Sequence, residues 1–263
     1  MATPPPGYPD DVITIGTSGW RYPEWRDDFY RGVPQRSWLS HLATRVGTIE
    51  INSSFYRLQP ASNYRKWAAE TPPDFVFAVK GPKLITHVKR LRDIDDPLKT
   101  FTESLALGPK QGPILWQLPP SLRFDRALVE DFLATLPPGR HAFEPRHESF
   151  RTDGYFDLLR AHNVAHVVSD APTFPCIEAV TADFAYLRLH GHDELYISSY
   201  DDAQLDEWAA KIHDWDRDTY VYFDNTMHGA APRNALSLMA RSTSATPPAT
   251  SRDQPPRRRA HPA

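Results

Sequence analysis

Three carboxylates, Glu144, Asp170 and Asp224, stand at the ends of short apolar runs, and so do three basic side chains, Lys80, Arg146 and Arg188. These groups support three chemistries. Carboxylates in unlike environments hold different pKa values and can divide acid and base work at a sugar-like or polyol substrate, with His190 assisting. Trp20, Phe55 and Tyr56 would then offer it apolar faces. Lys80, Arg146 and Arg188 are suited to clamping a phosphate or carboxylate, arginine through its bidentate fork. Glu144, Asp170, His190 and Asp224 form a mixed N/O donor set of the type that holds a divalent metal. Asn52, Gln117 and Asn225 are amides able to orient a bound molecule. The bland alternative is a buried network in which Glu144 and Asp170 pair with Arg146 and Arg188 and fix the structure.

These residues share a place as well as a chemistry. The apolar runs are Ile13–Ser18, Thr48–Asn52, Phe75–Lys80, Ile114–Gln117, Ala142–Arg146, Ala165–Asp170, Phe184–His190 and Tyr220–Asp224, each ending in polar residues. Most of the gaps read as helices: Ser37–Arg45; a helix through Glu70 with Ser62 as N-cap; Asp96–Leu107, stopped at Gly108; Asp125–Leu136; Tyr155–His162; Ala203–His213; and Pro232–Ala240. Ala171–Asp183 reads as loop, so the connection from the sixth to the seventh run lacks a helix. The alternation predicts a single TIM-type (β/α)8 barrel over 11–240, whose working face lies at the carboxyl ends of the strands. A doubly wound open sheet is the rival. The first strand runs into Gly16-Thr17-Ser18-Gly19-Trp20, which is neither GxGxxG nor GxxxxGK[ST], so no nucleotide fingerprint is present.

Along a strand alternate residues face inward, and the last inward ones open into the site. That reading gathers Ser18 and Trp20, Asn52 and Tyr56, Lys80, Gln117, Glu144 and Arg146, Asp170, Arg188 and His190, and Asp224 or Asn225. His87 and His147 read as structural or surface groups, and Trp25, Phe29 and Tyr30 as packing of a long aromatic loop. There is no HExxH and no clustered histidine spacing, so no motif implies a cofactor and the metal reading is the weakest.

The 263 residues suit one barrel, and 40% hydrophobic with 24% charged residues is the composition of a folded soluble chain. Mean hydropathy is -0.53, and no apolar run is long enough to cross a bilayer. Met1–Asp10 is Pro-rich, reads as a flexible segment, and lacks the features of a secretory signal. One cysteine, Cys176, permits no intrachain disulfide, so a cytoplasmic location is expected. Net charge is -3; Arg241–Ala263 holds five Arg and one Asp, net +4, which leaves -7 for the rest. That tail is expected to be disordered. An acidic remainder argues against broad binding to duplex nucleic acid, which needs a positive surface. The expected partner is a small anionic or sugar-like molecule, with neither a membrane nor, by preference, a nucleic acid.

Gly16–Trp20 (GTSGW), Glu50–Tyr56 (EINSSFY), Phe75–Lys80 (FVFAVK), Gln117–Pro120 (QLPP), Arg146-His147, Arg188–Gly191 (RLHG) and Asn225-Thr226 occur in this order. Together they resemble the YecE-like family, a barrel family of unknown function, from about Ile13 to Ala240. The resemblance implies a TIM-type barrel with a shared polar pocket and supplies no activity. The chain departs from the family's pattern at Pro145, where the family has an aromatic, and at Asp224, where it has an amide. The expectation is a barrel enzyme for a small anionic or polyhydroxylated substrate. A metal-dependent nuclease or repair-like phosphodiesterase and a non-catalytic binding scaffold are the alternatives.

Overall fold

The computed structural model describes residues 12–244. Eight parallel strands close into a barrel in sequence order: β1 (Ile13–Ser18), β2 (Thr48–Ile51), β3 (Val76–Lys80), β4 (Gln111–Gln117), β5 (His141–Glu144), β6 (Ala165–Asp170), β7 (Phe184–Leu189) and β8 (Asp218–Phe223). Closure is made by β1 on β8, from Ile13 opposite Thr219 to Thr17 opposite Phe223. The TIM-type expectation therefore holds.

The helices are α1 (Trp38–Ala43), α2 (Ser53–Tyr56), α3 (Ala61–Ala69), α4 (Asp95–Ser104), α5 (Arg126–Thr135), α6 (Asp153–Ala161), α7 (Asp202–Asp214) and α8 (Ala230–Ser244). No helix lies between β6 and β7, as the two prolines there predicted. Three helices carry side-chain caps that the sequence reading did not single out. Asp125 accepts from the Leu128 amide, Thr152 accepts from the Tyr155 amide, and Asp201 forms a capping box with Gln204.

Two helix ends differ from expectation. Ser62 is not an N-cap, because α3 starts one residue earlier, after the extended Pro60, with no side-chain cap. Helix α4 stops at Ser104 rather than Leu107; Leu105 turns extended and Leu107 packs into the core. Gly108, at φ 59°, instead opens a short 3-10 turn before β4. The tail boundary also moves. α8 continues to Ser244, and Arg241 pairs with Asp202 and Asp206 of α7, both at 2.6 Å. The expectations for 1–10 and for 245–263 lie outside the described residues.

Alternation along the strands divides the core into two layers. Ala78, Leu115, Ala142, Ala165, Val167, Phe184, Tyr186 and Tyr222 fill the barrel interior. Ile49, Ile51, Phe77, Val79, Trp116, Phe143, Val168 and Leu187 face the helices. Gly16 is required by the pairing of β1 with β2: a Cβ there would lie 1.8 Å from the Thr48 carbonyl oxygen. Interior residues are apolar near the amino ends of the strands and charged near the carboxyl ends. No helix among the described residues is long and apolar enough to cross a membrane.

Candidate functional site

Arg188 is the hub of the carboxyl-terminal mouth. It continues the inward face of Phe184 and Tyr186 on β7 and has no solvent exposure. A guanidinium out of water must be paired, and three strands supply partners. Its Nε and Nη2 donate to the two oxygens of Glu50 at 3.1 and 2.8 Å, a bidentate pair across the barrel. Nη1 donates to Glu144 Oε2 at 3.0 Å, and Nη2 donates also to Asp224 Oδ2 at 3.1 Å. Glu50 accepts further from Ser18 Oγ and from Tyr186 OH, both at 2.7 Å. Glu144 accepts from Arg146 Nη2 at 3.1 Å and from Ser169 Oγ at 3.3 Å. His190, also fully buried, bridges Asp224 through Nδ1 at 2.9 Å and Glu144 through Nε2 at 3.3 Å.

The protonation states follow from this geometry. Burial pushes the Glu144 carboxyl up, but Arg146 and Arg188 outweigh it and hold the group well below the usual carboxylate range. Burial likewise opposes ionisation of Asp224, and Arg188 and His190 bring it down to about 2. Both are therefore fixed anions at neutral pH, poor at taking up a proton. Lys80 behaves in the opposite sense. Burial and the nearby Arg188 lower its ammonium to about 8, against the smaller pull of Glu144, Glu50 and Asp224. Its Nζ lies 4.5 Å from the Phe55 ring centre, and among the described residues no carboxylate reaches it within 4.0 Å.

The remaining expected residues divide. Arg146 and Lys80 join the mouth, as do Glu144, Arg188, His190 and Asp224. Asp170 does not join the Arg188 network. Val167 faces the barrel interior, so Ser169 is the inward residue at the end of β6; Asp170 lies on the other face and takes His192 Nδ1 at 3.1 Å. Asn225 is likewise off the inward face that Asp224 occupies. It is fully buried and donates through Nδ2 to the Ser198 carbonyl at 3.0 Å and to Asn234 Oδ1 at 2.9 Å, tying a loop to α8. Gln117 is buried at the end of β4. Tyr56 is 79% exposed and meets Phe55 edge-on, so its ring is a surface of the rim. Trp20 is buried, edge-on to Trp67. Asn52 follows β2, and its side chain has no hydrogen-bond partner among the described residues.

Glu50 is the residue that strand-end reading missed. Its signal was present: it lies two residues before Asn52, on the same face, and a carboxylate within an all-buried TIEI strand requires a cation across the barrel. Phe174 and Tyr196 were also missed, because they sit on loops with no periodicity. Phe174 covers the Arg146 guanidinium at 4.2 Å and meets His190 edge-on at 5.2 Å; Tyr196 flanks the same imidazole at 5.8 Å. His147 is structural, its Nδ1 accepting from the Ser149 amide at 3.0 Å.

Among the described residues no group of three His, Cys, Asp or Glu side chains is arranged to hold a metal ion. The donor chemistry explains this. The guanidinium of Arg188 occupies the point on which Glu50, Glu144 and Asp224 converge, and each gives it at least one oxygen. A divalent cation there would have to displace a buried arginine.

Known proteins agree with this architecture over nearly the whole chain. The chain is 24% identical over 272 residues to the UPF0759 protein YunF of Bacillus subtilis, covering 87% of this chain and 94% of that one. It is 25% identical over 239 residues to the UPF0759 protein YecE of Escherichia coli K12, covering 80% and 85%. A crystal structure of a DUF72 family protein from Thermotoga maritima superposes with a TM-score of 0.78 at 27% identity, over 87% of this chain and 98% of the other. The model of the family described as "Protein of unknown function DUF72" matches residues 14–259, so the chain belongs to that family.

Proposed function

We propose that the barrel mouth is the active site of an enzyme acting on a small anionic or polyhydroxylated substrate, with Lys80 as the group that meets the substrate's negative charge and moves its proton. One observation carries this reading. Three carboxylates lie in the same polar layer as Lys80, yet Arg188, Arg146 and His190 engage them and Lys80 is left without an ion pair. A buried ammonium without a counter-ion attracts an anion. An amine titrating at about 8 also holds appreciable amounts of both protonation states near neutral pH, which suits general acid–base work.

Arg146, 12% exposed, offers a second cation at the rim. Glu144 and Asp224 act as fixed charges rather than as proton carriers, and Glu50 and Arg188 hold them in place. Acid–base work therefore passes from the carboxylates to Lys80. Asp170, paired with His192, and Asn225, paired with Asn234, have no part in it. The metal-dependent nuclease reading is the less supported, since it would need the donors that Arg188 occupies.

Sulfate tests this reading, because its charge is constant across the titration of Lys80. Calorimetry should show sulfate binding at pH 7 that weakens about tenfold or more by pH 9.5, as the ammonium is lost. Lys80→Met should lose this pH-dependent binding, and Lys80→Arg should restore it without the pH dependence below 9.5. Equal binding by wild type and Lys80→Met would overturn the assignment. Binding without turnover over a panel of phosphorylated and carboxylated polyols would reduce the site to a ligand-binding one.

A further inference from the structure

Beside the mouth a cleft of about 450 Å³ opens between the segment after β1 and the α2–α3 region. Its position follows from the register. Ile51 pairs with Val79, so the next residues, Asn52 and Lys80, are neighbours across strands about 5 Å apart. Ser54 reinforces the junction by donating its hydroxyl to the Lys80 carbonyl at 2.6 Å. Asn52, which lines the cleft, thus adjoins Lys80 along the backbone ladder.

The lining has a consistent chemistry. Asn52 contributes an amide whose buried Oδ1 has no partner. Gln59 is fixed by donating to the Ser53 and Arg57 carbonyls, and it accepts from Asn63 Nδ2 at 3.0 Å, leaving the Asn63 oxygen without a partner among the described residues. Trp20 and Trp67 pack edge-on at 5.4 Å and give the amides an apolar backing. The charged lining residues are all basic: Arg21, Arg57 and Lys66. Arg57 has no ion pair among the described residues, and Lys66 has only an exposed pair with Glu70 at 3.8 Å. Fixed amides suit hydroxyl groups, an apolar wall suits a ring's carbon face, and unpaired cations suit phosphate.

We infer that this cleft is a second anion subsite, which holds the phosphate of a sugar-like ligand whose other end carries a carboxylate that meets Lys80. The inference rests on the proposed role of the mouth for its orientation only. It narrows the substrate class from small anions to phosphorylated sugar acids. Asn52 becomes a specificity-determining residue at the junction of the two subsites.

6-Phosphogluconate is the probe and gluconate, which keeps the carboxylate and lacks the phosphate, the control, with binding to the full chain measured by calorimetry. The double variant Arg57→Gln/Lys66→Gln changes exposed side chains, so folding is preserved. It should weaken 6-phosphogluconate at least tenfold and gluconate less than twofold. Asn52→Ala should weaken 6-phosphogluconate about fivefold. If 6-phosphogluconate does not bind wild type at 10 mM, or binds the double variant as well as wild type, the second subsite is refuted. Binding of 6-phosphogluconate that depends on Lys80 but not on Arg57 and Lys66 would refute the cleft and keep the mouth. The converse would keep the cleft and refute the mouth.

Discussion

Replacing Arg188 with Met isolates what the hub does. The side chains are similar in reach, so the change removes charge and hydrogen bonds more than volume. Breaking a buried ion pair by deleting one partner costs about 3–5 kcal/mol, because the other charge is left uncompensated. Here the deletion strands three carboxylates, Glu50, Glu144 and Asp224, two of them without any solvent exposure. Arg146 and His190 still compensate Glu144 and Asp224, so the loss should lie near the upper end, about 5 kcal/mol at pH 7. For a fold of this size about 1 kcal/mol moves Tm by roughly 2–4 °C, which gives a fall of about 10–20 °C. The pH dependence supplies an independent check. Protonation removes the uncompensated charge that the missing guanidinium leaves inside the barrel, so the folded variant takes up protons and gains stability as the pH falls. The gap to wild type should therefore narrow between pH 7 and pH 5. The pair variant Glu50→Leu/Arg188→Met should recover part of the loss, since replacing both partners with apolar groups leaves less unpaired charge. Thermal unfolding followed by circular dichroism measures all three. An Arg188→Met protein within 3 °C of wild type at pH 7 would show that the network is not a buried, coupled unit.

Two further outcomes follow from the same layer. Asp224 titrates at about 2 in the fold against 3.8 unfolded, so its contribution is complete above about pH 4 and lost as the pH falls towards 2. That amounts to roughly 2 kcal/mol, and Asp224→Asn should remove this acid-side dependence in unfolding curves taken from pH 5 to pH 2. Lys80 runs the other way: its folded value of about 8 lies below the unfolded 10.5, so the unfolded chain binds the extra proton and stability rises with pH between those values. Lys80→Met should raise Tm at pH 7 by an amount equivalent to roughly 3 kcal/mol, a gain that fades above pH 8 and is absent if the ammonium is not desolvated.

The barrel was legible because its two periods are local. Strand runs end in polar residues, helices carry apolar stripes, and Pro72, Pro137 and the two prolines of 171–183 punctuate them. The site was legible only to the level of one strand end. Lys80, Glu144, Arg188 and Asp224 sit where alternation puts them. Asp170 shows the limit: a shift of one residue in parity sends the side chain to the opposite face, and nothing in Ala165–Asp170 itself says whether Ser169 or Asp170 points inward. Partner choice is less legible still. Arg188 binds Glu50 across the diameter of the barrel, 138 residues away in the chain, and such pairings arise from closure rather than from any local pattern. Phe174 and Tyr196 reach His190 from loops, where sequence sets no periodic direction.

The pairing of the carboxylates and the isolation of Lys80 are one fact rather than two. Arg188 draws Glu50, Glu144 and Asp224 to the barrel axis, and each oxygen so engaged is one that cannot turn towards Lys80. The ammonium then sits buried against Phe55, at a cost that methionine in the same space would avoid. Its neighbours give no packing reason for a charge there. An anion bound at Lys80 would offset that cost, because a ligand that binds only the folded state stabilises it by RT ln(1 + L/Kd), where L is the free ligand concentration. The unliganded protein should therefore be the less stable form, and the adjoining cleft, whose charged lining is basic, adds a second place for negative charge. A larger rise in stability with millimolar sulfate in wild type than in Lys80→Met, beyond the general salting effect common to both, would join the two observations. A rise of equal size in both proteins would separate them and leave Lys80 without a ligand-based account.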